Sequence, residues 1–253
     1  MICAGVDLAS RPATTASCVI DFSARGAEVV ELTTGVDDGS IVELIGRCDK
    51  VGIDVPLGWP ASFVKAVAGH GVDGSWPATY RHEDNVHLRL RRTDVWIHRD
   101  LGMPAPLSVS TDRIAIPAMR AAALLSRLQP RVRLDGSGVV VEVYPAAALR
   151  RWGLDSRGYK HQENRDRRRE LLRRLRELTP WLAVAAEHRD LCVESDDAFD
   201  SLVAALVARA RAVGLVEEVP PAYQSDAARE GWIAVPLVGS LTRLVEWPSD
   251  GGG

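Results

Sequence analysis

Acidic residues stand at the ends of, or inside, hydrophobic segments along this chain. Asp7 ends the apolar run in GVDLA, and Asp54 ends the one in GIDVP. Glu142 lies within VVVEVYP, while Asp197 and Asp200 share one face at the start of the helix predicted in DDAFDSLVAALVA. A carboxylate among apolar residues is costly to bury alone, and several that converge repel one another unless a cation neutralises them. We therefore interpret these five residues as one catalytic site.

Magnesium is the cation that this set of ligands favours, because it prefers carboxylate oxygens and completes its shell with waters and substrate phosphates. Two such ions, about 3.5–4 Å apart, can activate water and stabilise a leaving oxygen. The chemistry that this site predicts is phosphodiester hydrolysis with Mg²⁺ or Mn²⁺. Simpler roles stay open for single members of the set. An Asp at a strand end also commonly caps a turn, and either Asp197 or Asp200 can serve as a helix N-terminal charge.

Most of these acids are expected to lie on strands, and the first third of the chain is rich in predicted strands. Runs of β-branched and apolar residues predict strands at 2–6, 14–20, 27–32 and 50–55, with a helix over 41–47 before the fourth strand. This order of three strands, a helix and a strand implies a crossover connection. The first and fourth strands can then pair in parallel and bring Asp7 close to Asp54.

The rest of the chain is predicted to be mainly helical. Residues 58–134, rich in Pro, Trp and His, form an insertion after the fourth strand, interpreted as loops and helices beside the site. A strand returns at 139–143, and 232–235 is a candidate last edge strand. One domain over 1–240 with a flexible tail at 241–253 accounts for the pattern.

Composition limits the possible partners. The chain has 253 residues and a net charge of −3, so there is no global attraction for nucleic acid. A local excess of basic residues does occur at 150–176, with eleven Lys/Arg against four Asp/Glu, and it is a candidate contact for a phosphate backbone or simply a solvated helix. No apolar run approaches the roughly 20 residues of a membrane helix, and no secretory signal is visible, so a cytoplasmic protein without membrane contact is expected.

A series of motifs also resembles a known family. GVDLA, GIDVPLG, RRTD, EVYPA, GYK, DDAFDSLVAAL and EGWIAVP follow one another across residues 2–236. In order and spacing they are similar to the bacterial and archaeal family catalogued as domain of unknown function 429, which is described as predicted nucleases with a ribonuclease H-like fold. The D-x-x-D pattern of Asp197 and Asp200 resembles the final helix of Holliday-junction resolvases.

This resemblance implies an α/β protein with a ribonuclease H-like mixed five-stranded sheet, flanking helices and a large insertion after the fourth strand. In that superfamily, acids of the first strand, the fourth strand and the last helix bind metal. By matching position these are Asp7, Asp54, and Asp197 or Asp200. The superfamily does not always place an acid on the fifth strand, so the resemblance supports Glu142 less.

Four further residues are candidates for binding substrate. Arg92 and Asp94 belong to the RRTD motif, Lys160 to GYK, and Glu230 to EGWI. A guanidinium at Arg92 or an ammonium at Lys160 suits a phosphate. The alternatives are a solvated helix around Arg92 and a structural hydrogen bond for Glu230.

The leading hypothesis is therefore a metal-dependent nuclease that acts on DNA or RNA. A ribonuclease H-like ATPase or phosphotransferase is an alternative, although such enzymes follow the first Asp with a glycine-containing phosphate turn and residues 8–12 here are LASRP. A non-catalytic nucleic-acid-binding module is the second alternative. Such a module would not need to keep the whole acidic set.

Overall fold

The computed structural model describes residues 1–23, 26–77 and 85–246, which form an α/β architecture. The strands in these ranges are β1 (Ile2–Asp7), β2 (Ala16–Ser23), β3 (Gly26–Thr34), β4 (Lys50–Asp54), β5 (Val140–Glu142) and β6 (Leu182–Ala183). The helices in the same ranges are α1 (Asp38–Arg47), α2 (Ala61–Asp73), α3 (Val86–Arg89), α4 (Arg92–Arg99), α5 (Ala115–Leu125), α6 (Pro145–Arg151), α7 (Arg165–Leu178), α8 (Ala186–Glu194), α9 (Asp196–Ala212) and α10 (Gln224–Glu230).

The strands make one mixed sheet in the order β5-β4-β1-β2-β3-β6. β1, β2 and β3 form an antiparallel meander, whereas β4 pairs in parallel with both β1 and β5. The chain returns from β3 through α1 to β4, and this crossover is what places β4 beside β1. The predicted parallel pairing of the first and fourth strands is thus confirmed.

Each face of the sheet is buried under helices. Along β1, Cys3 packs into the hydrophobic core on one face, while Ala4 and Val6 pack into the core on the other. The first core is dominated by α9, from which residues 198–210 are all buried. The second core includes Ile41 and Leu44 of α1 and Leu124 of α5. Burial on both faces explains why the central strands β1 and β4 are almost continuously apolar, whereas β3 alternates between buried and exposed residues.

The insertion after the fourth strand consists of helices and loops, as predicted. α2, α3, α4 and α5 lie between β4 and β5, and residues 78–84 of the insertion lie outside the described part of the chain. A third, smaller hydrophobic core joins α4 to the segment that directly follows α10. It contains Trp96 and Ile97 of α4 together with Trp232 and Ile233 of that segment. This core ties the insertion to the edge of the sheet near β5.

Three details of the predicted fold differ from the structure. A sixth strand, β6, pairs with β3 over two residues, which is too short for any sequence pattern to indicate. Residues 232–235 make only a single parallel bridge, from Ile233 to Glu142. Residues 241–246 are not a free tail, because Leu241 and Leu244 are buried in the main core; residues 247–253 lie outside the described residues. Within the described ranges, no helix combines the length and the apolar character required to cross a membrane.

Candidate metal centre

Three of the predicted acids converge at one edge of the sheet. Asp7 and Asp54 occupy paired positions at the carboxyl ends of the parallel strands β1 and β4. Asp200 reaches them from the second turn of α9. One carboxylate oxygen from each residue lies within 4.8 Å of the other two. Such a spacing suits the shared coordination of a single cation.

Two glycines allow α9 to lie close enough to the sheet for this convergence. Gly5 and Gly52 stand two residues before Asp7 and Asp54, so each shares a sheet face with the acid that follows it. A Cβ at Gly5 would lie 2.1 Å from the Ser201 carbonyl oxygen, and one at Gly52 would lie 2.5 Å from that of Ala204. The pattern G-x-D in both strands thus combines a close backbone approach with a carboxylate just beyond it.

Asp200 is fully buried, and its two oxygens differ in their partners. Tyr159 donates a hydrogen bond to Oδ1 at 2.6 Å. Lys160 Nζ lies 2.7 Å from Oδ2 and forms an ion pair with it. Asp200 thus brings to the other two acids a buried carboxylate whose oxygens are hard ligands of the kind that Mg²⁺ prefers.

The electrostatics of the cluster follow from burial and from like charge. Burial, together with repulsion from Asp54 and Asp200, raises the pKa of Asp7 well above its usual value. Burial also raises the pKa of Asp54 to about 7, although the nearby Lys160 ammonium opposes the shift. The pKa of Lys160 is raised in turn, chiefly by Asp200 and then by Asp54 and Asp7. The protein therefore holds negative charge here at a cost that a cation would remove.

Of the two helix acids, Asp200 is the one that joins Asp7 and Asp54. Asp197 lies one helical turn earlier and is partly exposed. Burial and the neighbouring charges of Asp196 and Asp200 raise its pKa to about 6. Asp197 thus belongs to the electrostatic surroundings of the cluster and is not part of the group of three.

Glu142 is engaged elsewhere. It is the register partner of Ile53 in β4, so its side chain lies on the face opposite to that of Asp54. There its two oxygens accept hydrogen bonds from Nη1 and Nη2 of Arg91, each at 2.7 Å, and Oε2 also accepts one from Leu57 N. Arg91 is bound by Asp94 as well, at 2.9 Å, and all three charged side chains are almost completely buried.

This network changes the roles predicted for Glu142 and Asp94. Both carboxylates neutralise one buried guanidinium, and neither lies in the group of three acids. Glu142 still acts on the cluster at a distance, because its charge is one of the causes that raise the pKa of Asp54. The bond between Glu142 and Arg91 ties β5 to the insertion.

Arg92 and Glu230 also lie away from the acids. The Arg92 side chain is about half exposed and pairs with Asp226 at 3.5 Å, on the wall of a different cavity. Its neighbour Arg91 is the one that turns inward. Glu230 accepts hydrogen bonds from the backbone N–H groups of Ala61 and Arg92, both at 2.8 Å, which are the first residues of α2 and α4. A carboxylate shared by two helix N-termini has a structural role.

The basic stretch at 150–176 is largely occupied by its own partners. On α7, Arg173 and Arg174 pair with Glu170, and Arg169 pairs with Asp166. Arg168 is buried and donates to the carbonyl oxygens of Tyr159 and His161, at 2.8 and 2.5 Å. It therefore holds the loop that carries Lys160, which is the one predicted substrate-binding residue found at the acids.

Two important residues, Tyr159 and Arg91, were not predicted. Tyr159 orients Asp200, and Arg91 neutralises Glu142. Both stand directly before a residue that was singled out, in GYK and in RRTD. The only available signal was their place in these motifs, because a buried charge or hydroxyl cannot be recognised without knowing which way a side chain points.

The model of the family described as "Protein of unknown function (DUF429)" matches residues 5–224. The chain belongs to this family. Neither the curated proteins nor the solved structures gave a match.

The residues that match the DUF429 family model include the whole candidate metal centre. The matched range begins before Asp7 and ends after α9, so it includes the cluster, Tyr159 and Lys160. It also includes the insertion and the start of α10. Since the family description names no activity, the chemistry of the centre must be argued from its geometry.

Proposed function

We propose that this protein is a magnesium- or manganese-dependent nuclease with a ribonuclease H-like fold, which hydrolyses phosphodiester bonds in DNA or RNA. The convergence of Asp7, Asp54 and Asp200 beside Lys160 is the observation that carries the proposal. These acids come from the first strand, the fourth strand and a late helix, the elements from which a ribonuclease H-like enzyme is expected to draw its metal ligands.

The residues present fit a divalent cation. They offer hard oxygen ligands, and one carboxylate oxygen from each of the three acids lies within 4.8 Å of the other two. Three carboxylates and one ammonium leave a formal charge of −2, which one divalent ion balances. This charge balance favours one ion together with Lys160 over the two ions suggested by the acids alone. A cation held there would polarise a phosphoryl oxygen and make water more acidic.

The chain's own groups supply the remaining parts. Tyr159 fixes the orientation of the Asp200 carboxylate through its hydrogen bond. Lys160 carries a permanent positive charge with about half of its side chain exposed, so its ammonium can contact a phosphate oxygen that approaches the acids.

Two measurements test this function. Calorimetric titration with Mn²⁺ should show one site, and a panel of labelled single-stranded, duplex and branched DNA and RNA should contain a substrate that is cut only when Mg²⁺ or Mn²⁺ is present. Turnover of ATP without any cleavage would support the phosphotransferase alternative. Mn²⁺-independent binding of nucleic acid without cleavage would support the binding module.

A matched variant makes the panel specific. Asp21→Asn makes the same chemical change on the same sheet, but Asp21 pairs with Ile2 at the far end of β1 and is half exposed. This variant should cut like the wild type, whereas Asp200→Asn should not cut. Equal cleavage by both variants would remove the acidic cluster from the proposal.

A further inference from the structure

A cavity of about 400 Å³ adjoins the acidic cluster. Asp54 and Lys160 stand on its wall, so it opens directly onto the proposed metal centre. Its other walls come from the insertion and from the start of α6. Leu107, Arg113, Ile114, Tyr144 and Ile233 are among the residues that line it.

The lining of the cavity combines apolar residues with two tyrosines and with charged residues of both signs. Leu107 is about half exposed although it is a large hydrophobic residue, and the partly buried Ile114 adds aliphatic surface. Tyr144, which is partly buried and also packs against the third core, lines the cavity as well. The exposed guanidinium of Arg113 has no carboxylate partner within the described parts of the chain. A flat apolar group and a negative charge would thus both find complementary surface.

The size of the cavity suits one small ligand. Sites for small molecules usually measure about 300–1,000 Å³, and this one lies towards the lower end of that range. A nucleotide carries the two features that the walls complement, since its base is flat and largely apolar on its faces and its phosphate is anionic. Aromatic rings hold unpaired bases by stacking, independently of sequence.

We propose that this cavity holds the base of one unpaired nucleotide next to the phosphate that meets the acids, so that single strands bind in preference to duplex. This inference rests on the proposed nuclease function. In a duplex, each base is stacked and paired, and only its edges are accessible in the grooves. A base can enter a pocket only after it has left the stack, which is free of pairing cost in a single strand.

The geometry also assigns a purpose to the insertion. Residues 105–107, 113 and 114 all belong to it and line the cavity together with Tyr144 and Lys160. The ion network of Arg91 and Glu142 lies on the same cavity wall and fixes the insertion against β5. The acids would thus perform the chemistry, while the insertion would select the strand.

Fluorescence anisotropy tests the proposal without depending on cleavage. A short labelled single strand, the same sequence as a blunt duplex, and a labelled mononucleotide are titrated with the full-length protein, once with Ca²⁺ and once with EDTA. The single strand should bind more tightly than the duplex. Tyr144→Ala should weaken its binding roughly 5- to 150-fold, the range that corresponds to the loss of one base–aromatic stack.

Two further variants separate the pocket from folding and from general charge. Leu107→Glu places a negative charge at a half-exposed position that folding tolerates, and it should also weaken binding. Tyr144→Phe keeps the ring and should bind like the wild type. Arg113→Ala should weaken binding, whereas Arg127→Ala, an exposed arginine of the same insertion that does not line the cavity, should not.

The outcomes distinguish this inference from the proposed function. Equal binding of duplex and single strand, or normal binding by both Tyr144→Ala and Leu107→Glu, would overturn the pocket while Mn²⁺ binding and cleavage stand. A mononucleotide that binds as tightly as the strand would assign the cavity to free nucleotides and overturn the strand preference. If instead the wild-type protein binds no Mn²⁺ but prefers the single strand, and the pocket variants weaken that binding, the pocket is supported and the proposed nuclease function is refuted.

Discussion

Asp7 and Asp54 are register partners at the carboxyl ends of neighbouring parallel strands, so their carboxylates lie on the same face of the sheet. Gly5 and Gly52 repeat this relationship two residues earlier, where α9 touches the sheet. The position of Asp200 follows from both pairs together. The helix lies against the glycines, and its first turns extend past them to the acids.

Asp7→Asn should abolish metal-dependent cleavage without loss of the fold. The variant removes a ligand and one of three repelling charges, so cleavage should fall by roughly a thousandfold or more. In EDTA its melting temperature should rise by about 2–4 °C, the shift that about 1 kcal/mol produces in a chain of this size. Asp21→Asn serves as the control and should change neither property. Cleavage by Asp7→Asn at the wild-type rate would show that the proposed metal site is wrong.

The raised pKa values predict how stability depends on pH when metal is absent. Asp54, with a pKa of about 7, binds a proton in the folded state at pH values where the unfolded chain, with a pKa near 3.9, has released it. Its contribution to the free energy of unfolding therefore falls as pH rises from about 4 to about 7, by at most about 1.4 kcal/mol per pH unit.

Asp54→Asn lacks this titration. The difference in unfolding free energy between the variant and the wild type should grow in favour of the variant from pH 4.5 to pH 7, and then stay constant. Urea unfolding in EDTA at several pH values measures it. Mn²⁺ affinity of the wild type should rise over the same interval, because protons compete with the cation. A difference in unfolding free energy that does not change with pH would refute the raised pKa of Asp54.

Gly5→Ala should disturb the centre through packing alone. The added methyl group would lie 2.1 Å from the Ser201 carbonyl oxygen, and backbone on both sides prevents an easy adjustment. We expect a loss of about 3 kcal/mol in the free energy of unfolding, with weaker Mn²⁺ binding in the protein that still folds. Gly46→Ala is the control, because a Cβ there meets nothing within 4 Å and alanine favours a helix by up to about 1 kcal/mol. Urea unfolding compares the two.

Sequence was a good guide to the parts of this site that depend on local pattern and chain order. The strand–strand–strand–helix–strand order predicted that Asp7 and Asp54 would be neighbours, and the sheet confirms it. The apolar length of α9 identified the helix that carries Asp200. These features follow from periodicity and from the handedness of crossovers, both of which can be derived from one sequence.

The direction of individual side chains could not be derived in the same way. Glu142 lies in an apolar strand, as Asp54 does, but a register of Ile53 with Glu142 turns it to the other face. A shift of one residue would have reversed that result, and nothing local specifies it. The same holds for Arg91 and Arg92, of which the first is buried and the second is exposed.

Glu142→Gln should lower the stability of the protein but leave its metal binding unchanged, because Glu142 has a structural role. The change keeps the shape and an acceptor for Leu57 N, but it removes half of the negative charge that surrounds the buried Arg91 guanidinium. Breaking a buried ion pair from one side costs about 3–5 kcal/mol, and the remaining partner Asp94 places the expected loss at about 3 kcal/mol. Mn²⁺ stoichiometry of the folded variant should be unchanged. Loss of Mn²⁺ binding at full stability would instead make Glu142 a ligand.

Lys160→Met tests the division of charge between the ammonium and the cation. Methionine keeps much of the aliphatic stem but leaves the cluster with a formal charge of −3, since the ion pair with Asp200 Oδ2 is lost. Mn²⁺ should therefore bind more tightly to the variant, and electron paramagnetic resonance titration should detect a second ion where the wild type binds one. Cleavage should nevertheless fall by about 10²–10³-fold, because the group that meets the phosphate is gone. Lys65→Met, at an exposed position on α2, is the matched control and should alter neither quantity. A variant at position 160 that keeps both the wild-type stoichiometry and the wild-type rate would show that Lys160 neither limits the number of bound ions nor takes part in binding the substrate.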